Sequence, residues 1–256
     1  MMTRLLFIFI LLTTLNIKAQ NNAIGTSEKL TYTASYNMSG ILTDLAEVTM
    51  ATSTVKTSKA TLLRLKCTAA TYSKWDNFFK IRDLYESYVN PKTLTPYLYN
   101  RDLNEGGYHK NVKYNFSHKT KTVKSTLKKK NNYELKRSVT IGSNTKDIVS
   151  TMYYIRLLDY TTMSKGSKKT ITIIFDSKEI KGVITFLGKE TINTAIGNKE
   201  CYKLAISSNQ KNALQGQNNN FLWITADENK IPVYGKFKIP VGNGELKIKS
   251  VSGLKN

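Results

Sequence analysis

The sequence predicts a mainly β fold: a large curved antiparallel sheet forming an open barrel or a two-layer sandwich, with one substantial helix near 145–160. Three observations predict it. A two-residue rhythm of apolar and polar side chains recurs from Leu30 to Val251, which strands with one buried face require. Turn chemistry breaks that rhythm at short intervals, for example at Asn90-Pro91, Glu105-Gly106-Gly107, Asp176-Ser177 and Gly242-Asn243-Gly244. One segment alone has apolar residues at helical spacing, so the crossover helices of a parallel sheet are lacking.

The N-terminus carries Arg4, the apolar run Leu5 to Leu12 and a small residue, Ala19. That is the pattern of a secretory signal peptide cleaved after Ala19. The run is too short to span a bilayer, which takes about 20 apolar residues. Residues 20–256 are then a single exported domain, periplasmic or secreted. No cysteine lies near the cleavage point to carry a lipid, and no later segment is a transmembrane candidate. Cleavage leaves 37 Lys and Arg against 18 Asp and Glu. At 40% hydrophobic residues with 15 Tyr and 9 Phe, the chain is too apolar and aromatic to be disordered.

In the first strand Leu30, Tyr32, Ala34 and Tyr36 alternate with Thr31, Thr33 and Ser35. Leu63, Leu65, Cys67 and Ala69 alternate with Arg64, Lys66 and Thr68, and Val112, Tyr114 and Phe116 with Lys113 and Asn115. Further strands are expected at 45–54, 81–89, 121–128, 132–140, 168–176, 180–190, 200–207, 220–225, 231–238 and 244–251, many rich in Thr, Ile, Val and Tyr. Thr145 to Tyr160 places Ile148, Met152 and Ile155 on one helical face, with Asp147 in the first turn and Asn144 or Thr145 as N-cap. Trp75 to Lys80 reads as a short helical turn or an aromatic-loaded loop, whose Trp75, Phe78 and Phe79 either rim a pocket or, the favoured reading, plug the end of the barrel. Trp223 reads as core. Cys67 and Cys201 are either a disulfide or two small buried apolar groups. No linker, composition shift or repeat divides the chain.

Several separated stretches occur together in order: SEKLTYTASYNMSGI, IRDLYESYVNPKTLTPYLYNRDLNEGGY, STMYYIRLLDY, GKETINTAIGNKECYKL and LWITADENKIPVYGKFKIPVGNGELK. With them the chain resembles the exported domain-of-unknown-function family 3108 of Gram-negative bacteria, over nearly all of its mature length. The resemblance implies an exported, mainly antiparallel β protein. It supplies no catalytic residues.

No chemistry-bearing motif stands out, and neither a catalytic residue, a metal site nor a cofactor is expected. There is no G-x-S-x-G elbow, no H-E-x-x-H and no phosphate-cradling loop. His109 and His118 lie nine apart on a Lys-rich hairpin, too few for a closed metal site. Asp83 and Glu86 fall at odd spacing in one strand and so face opposite sides. Asp227 and Glu228 sit in a turn.

Charge is more informative. Lys110 to Arg137 holds ten basic residues and one acid, Glu134. Lys124, Lys128 and Lys130 share a strand face opposite Val123 and Leu127, giving a polyanion surface or a solubilising one. Arginine is scarce, 6 of 39 basic residues, so a structural ion pair is the ordinary fate of Arg82 or Arg156. The sharper reading is a cleft of Arg82, Tyr85, Arg101, Tyr108 and Arg156 for an anionic head group.

The expected function is therefore non-catalytic: an envelope protein binding a lipid, or an anionic glycan or lipid head group, in or on a curved sheet. The alternatives are a structural protein docking its Lys-rich face on anionic envelope polymers, and a carboxylate-dependent hydrolase. No nucleic-acid-binding motif is present, and the sequence leaves the oligomeric state open. N-terminal sequencing of the exported protein should begin at Gln20; a chain still starting at Met1 would refute the leader.

Overall fold

The computed structural model describes residues 20–38, 41–130, 132–209, 220–239 and 242–256; the expected leader, 1–19, lies outside them. The described residues form fourteen strands: β1 (Lys29–Met38), β2 (Ile41–Lys56), β3 (Thr61–Thr71), β4 (Arg82–Val89), β5 (Pro96–Glu105), β6 (Tyr108–Ser117), β7 (Thr122–Lys129), β8 (Glu134–Thr140), β9 (Lys168–Phe175), β10 (Lys178–Thr194), β11 (Gly197–Ser208), β12 (Phe221–Thr225), β13 (Pro232–Ile239) and β14 (Gly242–Ser252). A four-residue helix, α1 (Ser73–Asp76), joins β3 to β4, and α2 (Ile148–Tyr154) continues into a 3₁₀ turn at Ile155–Leu157.

All fourteen strands lie in one sheet, in the order β8-β7-β6-β5-β4-β3-β2-β1-β14-β13-β12-β11-β10-β9. Every strand pairing is antiparallel. The chain meanders outward from β1 to β8, crosses through 141–167, and meanders back until β14 pairs with β1, Lys29 opposite Ser252. This is the open-barrel form of the expected fold, with β8 and β9 left as edges. Thirteen strands fall where the alternation places them. The fourteenth, β5, begins at proline, which a strand tolerates at its first residue, and puts Arg101 where an apolar side chain is expected.

The sheet curls around α2. Leu30, Tyr32, Met50, Leu63, Leu65, Tyr99, Val112, Tyr114 and Val123 form the core with Val149 and Tyr153 of the helix, each of them 2% exposed or less. A second cluster, including Ile173, Ile184, Phe186, Tyr202, Leu204 and Ile224, lines the β9–β12 side. The helix is shorter than the sequence predicts. Its N-cap is Asp147, which accepts from the Ser150 amide at 2.8 Å in a capping box. Lys146 instead bridges to Ile173 of β9, so the chain before Asp147 is extended. The aromatic turn also differs. Trp75 is anchored to β2 through its Nε1–H to the Asp44 carbonyl, 2.9 Å, but Phe78 and Phe79 stand 76% and 46% exposed. They do not plug the barrel, because the tip of the β9–β10 hairpin, held by Arg101, Lys110 and Tyr114, occupies that space.

One ion pair ties the parts together. Arg156 is fully buried and reaches both Glu28 oxygens, at 2.6 and 2.7 Å. Its remaining donors go to the Asn229 and Ala23 carbonyls, 2.9–3.0 Å. Gly25 crosses the C-terminal segment so closely that a Cβ would meet the Gly253 carbonyl at 2.6 Å. Helix, N-terminal segment and β12–β13 turn therefore converge on one guanidinium. Removing one partner of a buried pair strands the other charge, at about 3–5 kcal/mol. Arg156→Met should lower the urea unfolding midpoint by that much free energy, and adding Glu28→Leu should recover a large part of it. Unchanged stability in the single variant would sink this account.

Candidate functional site

Tyr85 on β4 and Arg101 on β5 are cross-strand neighbours on the concave side. The Arg101 side chain is buried and ion-paired to Asp176 at the tip of the β9–β10 hairpin. Its guanidinium lies 4.9 Å from the Phe175 ring centre. Lys110 reaches the same carboxylate at 3.1 Å. Burial pushes the Asp176 carboxyl up, but the two cations outweigh it and hold it below the ordinary range. Asp176 and Ser177 both have positive φ, as a tight two-residue hairpin turn needs. The Ser177 amide donates to the Tyr114 hydroxyl at 3.1 Å, and the Ser177 and Ser125 hydroxyls are 2.7 Å apart. Thus the return half of the sheet is pinned across the concave side to β5, β6 and β7.

The other members of the expected cleft do not join Tyr85 and Arg101. Arg82 points to the opposite face of β4 and pairs with Asp76 of α1. Tyr108 is 46% exposed at the β5–β6 turn. Arg156 is closed off by Glu28. The reason is shared: each arginine has found a carboxylate, and Arg64 likewise pairs with Glu86. Glu28 and Asp176, the acids that decide this, were not singled out by sequence; only the scarcity of arginine hinted that each would be committed.

Lysines behave differently. On the outer face of β6, β7 and β8, Lys113 stands opposite Thr126, Lys124 opposite Asn115 and Ser138, and Lys128 opposite Asn111 and Glu134. Lys113, Lys124, Lys128 and Lys136 are all exposed. Glu134 is the one acid set against them, 3.1 Å from Lys136 and 3.8 Å from Lys128. Lys130 lies just past the end of β7, also exposed. Of the three predicted lysines, Lys124 and Lys128 thus share the outer face of β7, and Lys130 lies beyond the strand. His109 and His118 sit at opposite ends of β6, and His118 Nε2 is 2.6 Å from the Pro96 carbonyl. Cys67 and Cys201 are both free thiols, and burial pushes the Cys67 thiol up to about 12. Among the described residues no metal-binding cluster occurs, and no helix is long and apolar enough to cross a membrane.

An open groove of about 490 Å³ lies between the β10–β11 turn and strands β13, β14 and β1, lined by Thr33, Asp44, Ile192, Tyr234, Lys247 and Lys249 among others. Beside it Trp223 is 5% exposed and stacks on Tyr234 with 4.8 Å between ring centres.

A family described as a protein of unknown function, DUF3108, matches residues 31–249. The chain belongs to the DUF3108 family. Its fold is similar to a β-barrel-like DUF1849 protein from Brucella abortus, with TM-score 0.58 and 8% identity over 90% of this chain and 99% of that one. A YmcC-like protein from Bacteroides fragilis aligns over the same shares with TM-score 0.33 and 9% identity. No curated protein matches the chain. At 8% identity the similarity to the Brucella abortus protein is one of fold alone.

The acids of the hydrolase alternative are scattered over this DUF3108 fold. Asp83 faces inward, Glu86 is tied to Arg64, and Asp227 accepts from Thr225 and Lys230 within its turn. Asp83 is 7% exposed and accepts from the Asn104 amide at 3.0 Å. Burial pushes its carboxyl up to about 6, the Asn104 amide opposes this, and Glu105 beside it adds to the rise. The folded chain therefore holds this proton more tightly than the unfolded chain. Its stabilising contribution is present near pH 4 and is lost as pH rises through about 6. Asp83→Asn should gain about 1–2 kcal/mol over the parent at pH 7.5 and little at pH 4.5. Urea unfolding at both pH values checks this; an equal gain at both would exclude the titration of Asp83 as its source.

Proposed function

We propose that this DUF3108 protein is a non-catalytic, exported envelope protein that holds anionic lipid head groups on the outer face of its curved sheet. The observation that carries the reading is the wall of Lys113, Lys124, Lys128 and Lys136 on β6–β8, opposed by Glu134 alone. The concave side favours an outside site over an inside one, since α2 and the buried tyrosines Tyr32, Tyr99, Tyr114 and Tyr153 fill it. Lysine is a flexible, strongly hydrated point charge. It suits a fluid layer of phosphates better than one shaped ligand, for which arginine's fork is preferred. The arginines on β3, β4, β5 and the 3₁₀ turn are already committed to carboxylates. The overall charge of +21 adds long-range attraction to any anionic surface. The signal-like N-terminus supports placement in the envelope.

Binding to vesicles containing phosphatidylglycerol should weaken at least about tenfold between roughly 50 and 300 mM NaCl. Replacing Lys113, Lys124 and Lys128 together by Gln should weaken it by about 10–100-fold at low salt while the unfolding transition stays in place. Co-sedimentation with vesicles measures both, and salt-independent binding or full retention in the triple variant would defeat the reading.

A further inference from the structure

Among the described residues seven large apolar or aromatic side chains stand exposed: Ile41, Leu42, Phe78, Phe79, Tyr97, Tyr108 and Tyr133. Their distribution is uneven. The antiparallel meander turns the β1–β2, β3–β4, β5–β6 and β7–β8 connections at one end of the sheet. The register confirms this, with Met38 opposite Ile41, Ala70 opposite Arg82, Glu105 opposite Tyr108 and Lys128 opposite Glu134. Six of the seven side chains sit on those four connections; Tyr97, at the start of β5, is at the other end. Each connection presents its own apolar tip, so the six form a rim.

The rim is also basic. Lys74, Lys80, His109, Lys129 and Lys130 are exposed between the tips. Lys129 lies 5.8 Å over the Tyr133 ring and Lys74 lies 5.7 Å over Trp75. Of the nearby acids, Asp76 is paired with Arg82, Asp176 with Arg101 and Lys110, and Glu134 with Lys136. Glu105 lies beside Asp83, and the exposed Asp44 accepts from the Ser35 hydroxyl at 2.6 Å, so two carboxylates stand among the five basic side chains. Scattered apolar tips interleaved with free lysines do not match a flat protein partner, which covers a continuous patch. They match the interfacial layer of a bilayer, where aromatic and aliphatic tips enter below the phosphates and lysines remain among them.

We propose that this rim inserts into the interfacial layer of an anionic bilayer, with the barrel tilted toward its β6–β8 side so that the lysine wall also meets the head groups. The inference rests on the head-group reading for its charge, and adds the element that touches the acyl region. The connections carry the insertion and the sheet does not deform, because α1 is anchored through Trp75 and Phe79 lies against Gly106, where a Cβ would meet its ring at 2.5 Å.

The test uses the purified protein and vesicles of phosphatidylethanolamine with phosphatidylglycerol. Ile41→Ser, Phe78→Ser and Tyr133→Ser are combined in one variant, with Phe78→Ser alone as a second that changes a single 76% exposed residue. The triple variant should bind about tenfold or more weakly and the single variant measurably so, while Tyr97→Ser binds as the parent. On binding, Trp75 should become less accessible to acrylamide. Parental binding by both rim variants overturns the proposal. If they bind normally while the Lys113/Lys124/Lys128 variant fails, the rim falls and the head-group reading stands. If the rim variants fail while the lysine variant binds normally, the rim stands and the wall does not. A lipid-free dimer that the rim substitutions convert to monomer would also overturn it, by showing that the rim meets a second copy.

Discussion

The fold depends on the charge pair at its closed end. A seven-residue helix has little stability of its own in water, so contacts at its ends set the position of α2. At one end Asp147 accepts from the Ser87 hydroxyl at 2.6 Å, and Lys146 donates to the Leu94 carbonyl at 3.1 Å. At the other Arg156 holds Glu28, Ala23 and Asn229. Desolvating such a pair is expensive, and it is tolerated only when every donor finds an acceptor. The three groups that surround Arg156, the Glu28 carboxylate and the Ala23 and Asn229 carbonyls, meet that condition. They are also what joins the segment before the first strand, the β12–β13 turn and the filler of the concave side into one unit.

Arginine and lysine divide the work. Arg64, Arg82, Arg101 and Arg156 each meet a carboxylate and hold two segments at a fixed geometry. The lysines stay hydrated on the outer faces. This division explains why a strongly basic chain shows no cleft of converging guanidinium groups. Arginine's planar fork is the better clamp between two fixed pieces of backbone, and lysine, with a mobile ammonium, is the better contact for a surface without fixed geometry. The buried Lys146 is the exception, and its environment shows the penalty. Desolvation lowers its ammonium to about 8, and a carbonyl and the Tyr154 ring 4.3 Å away are its partners.

Most of the sheet was legible in the chain because alternation depends on one local property, the side of the strand that meets water. It failed at β5, where the concave position is held by Arg101, and no local rule reveals that Asp176, 75 residues later, neutralises it. The helix was placed correctly and drawn too long, because Asn144 and Thr145 looked like N-caps, whereas Lys146 is claimed by β9 and Asp147 is the cap. The lysine wall was legible, since period two assigns Lys124 and Lys128 to one face without tertiary knowledge. The arginine cleft was not, because it needed the carboxylate partners, and those are set by how the sheet curls. Phe78 and Phe79 misled for a related reason. Their apolarity argued for burial, while the space they were expected to fill is taken by the β9–β10 tip.

The two ends of the barrel are consequently unlike. At one, the segment that follows residue 20, the C-terminal residues, the Arg156 pair and the β12–β13 turn are interlocked; Asn256 donates its amide to Asn229 Oδ1 at 3.0 Å and Lys255 reaches the Asn21 carbonyl at 2.8 Å. At the other, Ile41, Leu42, Phe78, Phe79, Tyr108 and Tyr133 stand exposed. Hydrophobic burial alone would drive Phe78, Phe79 and Tyr133 inward. They remain outside because the interior beneath them is already closed by Arg101, Asp176 and Ser177: Arg101 and Lys110 meet the Asp176 carboxylate and Ser177 meets Tyr114 and Ser125, although Arg101 Nε is left without a partner. A sheet this size could have closed with apolar residues there. Closing it with an ion pair leaves the apolar residues of the connections available outside, and the fold at that end does not depend on them.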